Sequence, residues 1–380
     1  MLGLGLAASV TFIHAQPAAG ATAGAAGASG RAAVASDSLS IEQFAALVRR
    51  LSDGGGYFDT DNLISNESSY LHPLAALDRL GVRGGGYVGV GPDQNFSLIA
   101  RVAPSIAFIT DIRRDNLLHH LLFKALFEPS RNRTEYVARW LGRAVPTNID
   151  ALRDQPVDSI VAWASRTPAT PASADAAVRD VRMRVTRYGL GLSRDDFATI
   201  ERFHRTFIVQ GPALRFTSTG RAPRDYYPTL GQLMTERDRT GRQASYLARD
   251  RDFQVVKSLQ RRNLVVPVVG DLSGAGTLPR IGAVLRERRE SLSVLYASNV
   301  EDYLIRDGRF ATYARYVAQL PRQSTSVMVR SWFGGPGSHP ASVPGYYTTQ
   351  LVQTVASFAT DSGVARVRSY RELVLRNWEK

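Results

Sequence analysis

Two glycines and two aspartates hold most of the chemistry legible in this chain. Gly89 and Gly91 flank Val90 at the end of a short apolar run, Tyr87 to Val90, and Asp111 follows a second run, Ile106 to Ile109, 20 residues after Gly91. A residue without Cβ lets a ligand approach the backbone where a strand hands over to a helix, and the free N–H groups of that helix favour negative charge. A carboxylate ending the next strand can accept hydrogen bonds from ribose hydroxyls. The turn Gly91-Pro92-Asp93 leads into a periodic apolar set, Phe96, Ile99 and Val102. Residues 84–128 therefore read as strand, glycine turn, helix, strand with an acidic end, and helix. This is the layout of a nucleotide-type cofactor site. Gln94 stands where the dinucleotide fingerprint has its third glycine, which weighs against a nicotinamide dinucleotide. The plainer alternative, an ordinary strand-to-helix turn with Asp111 as a helix cap, stays open.

Acid–base work could fall to Glu67 and Tyr70, three residues apart and on one face if their segment is helical, or to His119 and His120. Adjacent helical residues point about 100° apart, so at most one of the two histidines can face a pocket. Other chemistries lack their residues. Cysteine is absent, which excludes disulfides, thiolate metal sites and cysteine nucleophiles. The six histidines contain no H-E-x-x-H pair, and neither GDLSG nor YASNV is a G-x-S-x-G elbow. No metal ligand set is expected, and no Walker loop is present.

The elements that must position these residues follow from periodicity. Ser40 to Gln43 is a capping-box pattern opening a helix with Ile41, Phe44, Leu47, Val48 and Leu51 on its apolar face. A glycine turn at Gly54 to Gly56 and a set of small polar groups, Asp59, Asp61, Asn62, Ser65, Asn66, Glu67 and Ser68, precede the first strand. They read equally as a loop over the pocket or as a capped helix start. After Phe127 the alternation of strand and helix is interrupted by a mostly helical insertion, about 129–262. Strands then return at Asn263 to Asp271, Ser291 to Ala297 and Ser326 to Trp332, with helices over Leu278 to Arg288 and from Tyr303 to Leu320 between them. The alternation predicts an α/β fold, a Rossmann-like doubly wound, mainly parallel sheet over 39–380.

With 380 residues and 44% apolar content the chain can bury a large core. The formal charge of +13 is almost all arginine, because lysine occurs only at Lys124, Lys257 and Lys380. The arginines are interleaved with Asp and Glu rather than gathered in blocks, so a nucleic-acid partner is not expected. Leu2 to Ile13 is apolar and ends at Ile13-His14-Ala15, a signal-peptidase pattern over 1–15, followed by an Ala/Gly-rich linker over 16–38. Export or a periplasmic location is favoured, with the cytoplasm if that segment is no signal. The apolar stretch is too short to span a bilayer.

The order strand, G-x-G, helix, strand, Asp, then a strand ending in PVVGD and one ending in YASN resembles the class I S-adenosylmethionine-dependent methyltransferases. The resemblance implies that Gly89 and Gly91, with Asp93 beside them, hold the methionine and ribose portion of the cofactor, that Asp111 holds the ribose, and that Asp271 holds the adenine amino group. Ser298 and Asn299 would lie where cofactor and acceptor meet. The pattern departs at Tyr87, where that family has an acidic residue, and at Asp93, whose charge would need Arg101, Arg113 or Arg114 to offset it. Strings such as ISNESSYLHPL, GVGPDQNF, FITDIRRDN and LQRRNLVVPVVGDLSG more closely resemble a family of uncharacterised bacterial proteins with this core. The implied activity is methyl transfer from S-adenosylmethionine to an unnamed acceptor, with Glu67, Tyr70 and Asn299 nearest the reaction. The competing expectation is an exported, non-enzymatic binding or envelope protein on the same fold.

Overall fold

The capping box forms as the sequence demands. Ser40 Oγ accepts from the Gln43 N–H at 3.2 Å while Gln43 Oε1 accepts from the Ser40 N–H at 2.8 Å, opening α1 (Ile41–Leu51). The computed structural model describes residues 37–379. The expectations for the first 36 residues lie outside them.

Helix α2 (Leu74–Arg79) precedes β1 (Gly86–Val90), which is followed by α3 (Gln94–Val102), β2 (Ile106–Asp111) and α4 (Arg114–Phe127). Six helices then intervene: α5 (Arg133–Trp140), α6 (Val157–Arg166), α7 (Pro171–Thr186), α8 (Arg194–Gln210), α9 (Leu230–Thr235) and α10 (Asp250–Arg261). The alternation resumes with β3 (Val265–Val269), α11 (Thr277–Glu287), β4 (Leu292–Ser298), α12 (Val300–Arg306), α13 (Phe310–Ala318) and β5 (Arg322–Trp332). The chain closes with β6 (Thr349–Thr354), α14 (Val355–Thr360) and α15 (Tyr370–Val374).

The six strands form one sheet in the order β3-β2-β1-β4-β5-β6. The pairs from β3 to β5 are parallel and β6 runs antiparallel to β5. This is an α/β architecture with a mostly parallel sheet, compatible with a Rossmann-like fold. Strands β1, β3 and β4 carry apolar runs because both faces of the sheet are covered. Pro267 sits within β3, which is tolerable there because β3 is an edge strand and its outer side needs no ladder hydrogen bond. From β1 the chain winds one way to β2 and β3, then crosses to β4 on the other side. The switch point therefore lies between the carboxyl ends of β1 and β4, where such sheets bind ligands.

Two elements differ from the sequence expectation. The single helix from Tyr303 to Leu320 is broken into α12 and α13, with Gly308 at φ +70° as the hinge. Strand β6 was not expected, because TQLVQT mixes polar with apolar residues; it registers against β5 from Val327↔Thr354 to Trp332↔Thr349.

Helix α4 is buried from Asn116 to Phe127, so it needs apolar neighbours all round. Phe96 of α3 meets His120, Phe123 and Phe127 of α4 and Tyr246 edge-on, at ring separations of 5.3–5.6 Å. On its other side His119 stacks against Phe207 and meets Phe203 edge-on, both of α8. These contacts lock α4 and its preceding loop against the end of β1.

Candidate functional site

Gly91 adopts φ +84°, which only glycine takes without strain, and turns the chain from β1 into α3. Asn95 Nδ2 donates to the carbonyls of Val90 at 2.9 Å and Pro92 at 2.8 Å, and Asn95 Oδ1 accepts from the Tyr87 hydroxyl at 2.8 Å. A Cβ on Gly89 would run into the Asn95 side chain. The space at Gly89 is thus filled by the chain itself, and Tyr87 serves the same asparagine. Imidazole Nε2 of His120 lies 2.9 Å from the Gly91 carbonyl. Burial pushes the His120 imidazole down to about 4 and His119 well below the usual range, so both are neutral at physiological pH. Both are buried, and His119 faces the aromatic rings of α8.

Asp111 ends β2 and is engaged by Arg113. Its Oδ1 accepts the Arg113 backbone N–H at 2.9 Å and Nε at 3.1 Å, and its Oδ2 accepts Nη2 at 2.8 Å. Of the roughly four acceptor positions a carboxylate offers, one is left. Asp271, in the turn after β3, is in the same condition. Its Oδ1 accepts the Ser273 N–H at 2.8 Å and hydroxyl at 2.7 Å, and its Oδ2 is paired with Arg309. One acceptor position on Asp111 suits one ribose hydroxyl, and one on Asp271 suits an exocyclic amine.

Ser298 ends β4 in the left-handed region, φ 51°, a strained conformation for a residue with a side chain. Its hydroxyl donates to Glu67, and its carbonyl accepts from the Tyr370 hydroxyl at 3.2 Å. Asn299 follows at the start of α12, partly exposed, with Oδ1 3.4 Å from the Ser298 hydroxyl and no capping bond from its side chain. Glu67 is buried. It accepts from Tyr296 and Ser298 of β4, from Ser331 Oγ of β5 at 2.6 Å and from Gln350 Nε2 of β6 at 2.9 Å. Those four donors fill the carboxylate, so Glu67 acts as a clamp joining its segment to three strands. Residues 68–73 are turns, so Glu67 and Tyr70 do not share a helix face. Tyr70 points instead to the Leu233 carbonyl, 2.8 Å away.

Asp93 also faces away from the arginines. Arg101 pairs with Asp78, Arg113 with Asp111 and Arg114 with Asp196, while Asp93 Oδ2 accepts from Tyr246 at 3.2 Å. Burial pushes its carboxyl up to about 7, against the lowering effect of the hydrogen bond from Tyr246. Asp93, Gln94, Tyr70 and Tyr246 border a cavity of about 10 Å³ against α9, room for roughly one water.

The polar segment before β1 lies as a strap over the strand ends. The Asp53 N–H donates to Val269 at 2.8 Å, the Gly56 N–H to Ile112 at 2.7 Å, and Arg113 Nη1 reaches the Thr60 carbonyl at 2.6 Å. Phe58 packs edge-on to Tyr303 of α12, 5.2 Å between ring centres. Thr60 Oγ1 donates to Thr217 and the Thr219 N–H donates to Asp59, tying the strap to the loop between α8 and α9. Asn62 ends it at φ 50°, with Nδ2 3.5 Å from where a Cβ on Gly91 would stand.

The sequence-chosen residues thus fall at three places. Gly89, Gly91, Asp111, Asp271, Ser298 and Asn299 lie at the carboxyl ends of β1 to β4; Glu67 is a clamp beneath the strap; Asp93 and Tyr70 face α9. Sequence reasoning offered Arg113 only as a counter-charge to Asp93, counted Asn62 only among the polar groups before β1, and passed over Asn95 and Gln350. The two-residue spacing Asp111-Ile112-Arg113 was the signal available for the first, since such neighbours readily pair.

Residues 63–178 and 220–379 match the model of a family described as a domain of unknown function, DUF7790. The chain belongs to that family. The match takes in the strand ends around β1 to β4, the Glu67 clamp and the closing β6. No curated protein matches the chain. Among the described residues no His, Asp and Glu gather in a group of three that could hold a metal ion, and no helix is long and apolar enough to cross a membrane.

Proposed function

We propose that this DUF7790 protein binds S-adenosylmethionine, or a close nucleoside relative, at the switch point of its sheet and is methyltransferase-like in activity. The observation that carries the reading is the placement of two carboxylates, Asp111 at the end of β2 and Asp271 after β3, at the same carboxyl ends of the strands as Gly91 after β1 and Asn299 after β4. The fit is one hydrogen bond per acid. Asp111 would hold a ribose hydroxyl, Asp271 the adenine amine, and the Gly91 turn the methionine end. When bound, the cofactor supplies a methyl group on a sulfonium. The protein's part is orientation and exclusion of water, with a base needed only where the acceptor carries a proton. Glu67 acts here by holding Ser298, and through it Asn299, at the crevice. The strap excludes solvent, and the helices between α4 and β3 border the acceptor side.

Saturation-transfer NMR of S-adenosylhomocysteine with the purified protein tests this. Transfer to adenine and ribose protons, lost in Asp111→Ala, is the expected result. Absence of transfer, or transfer unchanged in a folded Asp111→Ala, contradicts it.

One observation favours a second reading. Arg113 and Arg309 already engage both acids, and the strap covers them, an arrangement suited to a non-enzymatic binding or envelope protein on the same core. Export of the chain would fit that reading, because S-adenosylmethionine is made inside cells.

A further inference from the structure

Two tyrosines from distant loops stack face to face. Tyr226, between α8 and α9, lies against Tyr347, between β5 and β6, with ring centres 3.6 Å apart and 7° between the planes. Topology places the pair. The β5–β6 loop leaves the carboxyl end of β5, which runs parallel to β4, so it starts from the same end of the sheet as Gly91 and Asn299. The α8–α9 loop folds back on itself through the bridges Arg215↔Thr229 and Ser218↔Arg221, and its tip is fixed to the strap at Asp59 and Thr60. The strap holds the ends of β2 and β3 on one flank of the switch point, and β5 lies on the other. The α8–α9 loop therefore joins the two flanks, and the tyrosine pair is the joint farther from the strap. Tyr227 meets both Tyr226 and Phe216 edge-on, at 4.9 and 5.0 Å, and Gly345 at φ +86° turns the chain two residues before Tyr347. Both stacked rings stay partly exposed, and the Arg224 guanidinium stands 5.9 Å from the Tyr226 ring. Of the arginines on this loop, Arg215 donates to the Tyr227 carbonyl and Arg221 pairs with Asp59, while Arg224 is exposed and pairs with no acid among the described residues.

We infer that Tyr226 and Tyr347 are the jaws of a clamp for the acceptor, which presents a flat aromatic ring and a negative charge that Arg224 meets. A ring entering between the jaws exchanges one stacked contact for two. Both jaws sit on loops, so no strand has to move to admit it. Arginine engages a carboxylate through two parallel N–H groups, which gives the site its preference for an acid over a neutral ring. The α8–α9 loop belongs to the insertion that borders the acceptor side, and the places proposed for the cofactor at Gly91, Asp111 and Asp271 are left free. This deepens the methyltransferase reading and rests on it for the ligand's role as acceptor, while the clamp itself is testable without a cofactor.

The test is saturation-transfer NMR of the full chain with millimolar 4-hydroxybenzoate, its neutral counterpart 4-hydroxybenzyl alcohol, and cyclohexanecarboxylate, which has the charge without the ring. Transfer to the ring protons of 4-hydroxybenzoate, and none to cyclohexanecarboxylate, is the expected result. Affinity for 4-hydroxybenzoate should fall about 10-fold in Tyr226→Leu and in Tyr347→Leu and be kept in the two Phe variants, which retain the rings. Arg224→Gln, at an exposed position that folding does not need, should weaken the acid about 2- to 5-fold and leave the alcohol unchanged. Absence of transfer to 4-hydroxybenzoate, equal transfer to cyclohexanecarboxylate, or undiminished binding in folded Leu variants overturns the inference. If the Leu variants do not fold, Arg224→Gln decides, and an undiminished preference for the acid over the alcohol overturns it. S-adenosylhomocysteine binding without 4-hydroxybenzoate binding overturns the clamp and leaves the nucleoside reading intact. The reverse upholds the clamp and removes the methyl acceptor as its occupant.

Discussion

Asp111 and Arg113 stand two residues apart and hold each other by three hydrogen bonds, so the acid best placed for a ribose is also the hook for the strap. Asp111→Ala removes a charge-assisted acceptor, and cofactor affinity should fall about 10- to 100-fold, the equivalent of roughly 1.5–3 kcal/mol. Equal affinity in a folded variant would exclude Asp111 from the site. Gly91 makes a prediction that needs no ligand. At φ +84° a side chain is strained by about 1–2 kcal/mol, so Gly91→Ala should lower stability in urea by that amount, and unchanged stability would contradict the turn geometry. Asp93 gives a pH signature. Its carboxyl is raised from 3.8 to about 7 in the fold, so the folded state holds the extra proton between those values. The stability this contributes is full below the unfolded value and is lost as pH rises through about 7, a change on the order of 4 kcal/mol. Melting temperature should therefore fall more from pH 5 to pH 8 in wild type than in Asp93→Asn; parallel curves would contradict the buried carboxyl. At this scale the sequence showed which groups stand at strand ends. It could not show their partners, because Asn95 filling Gly89 and Arg309 on Asp271 depend on packing between distant segments.

At the scale of elements, the helices and central strands were legible because apolar runs and periods are local. Strand β6 was not, since its polar Gln350 and Gln353 are buried by bonds to Glu67 and Arg330 that no local pattern encodes. The strap was legible only as polar density, with loop and helix start equally open; the structure makes it a loop pinned by Val269, Ile112 and Arg113. Beyond the strap, Glu67 fixes the following segment to the sheet. Glu67→Ala would take their shared acceptor from Tyr296, Ser298, Ser331 and Gln350 together, leaving Gln350 its bond to Ser331 and Ser298 a long one to Asn299, and should cost roughly 3–5 kcal/mol in urea unfolding. A loss below about 1 kcal/mol would mean that these donors find other partners, and the clamp would fail as an account of Ser298.

For the whole molecule, the doubly wound α/β expectation follows from the order of strands and helices, and the structure is α/β with a six-stranded, mostly parallel sheet that is compatible with it. The interleaving of arginine with acids also has a structural counterpart, in pairs such as Arg50–Glu287, Arg114–Asp196 and Arg376–Asp361 spread over the surface. Function was less legible, because a fold supplies a crevice and not its occupant. The central claim is that this crevice holds an S-adenosyl nucleoside, and isothermal titration calorimetry of S-adenosylmethionine and S-adenosylhomocysteine into the purified protein tests it most directly. Micromolar binding of either, near −8 kcal/mol, is the predicted result, and no heat of binding at millimolar ligand would contradict the claim.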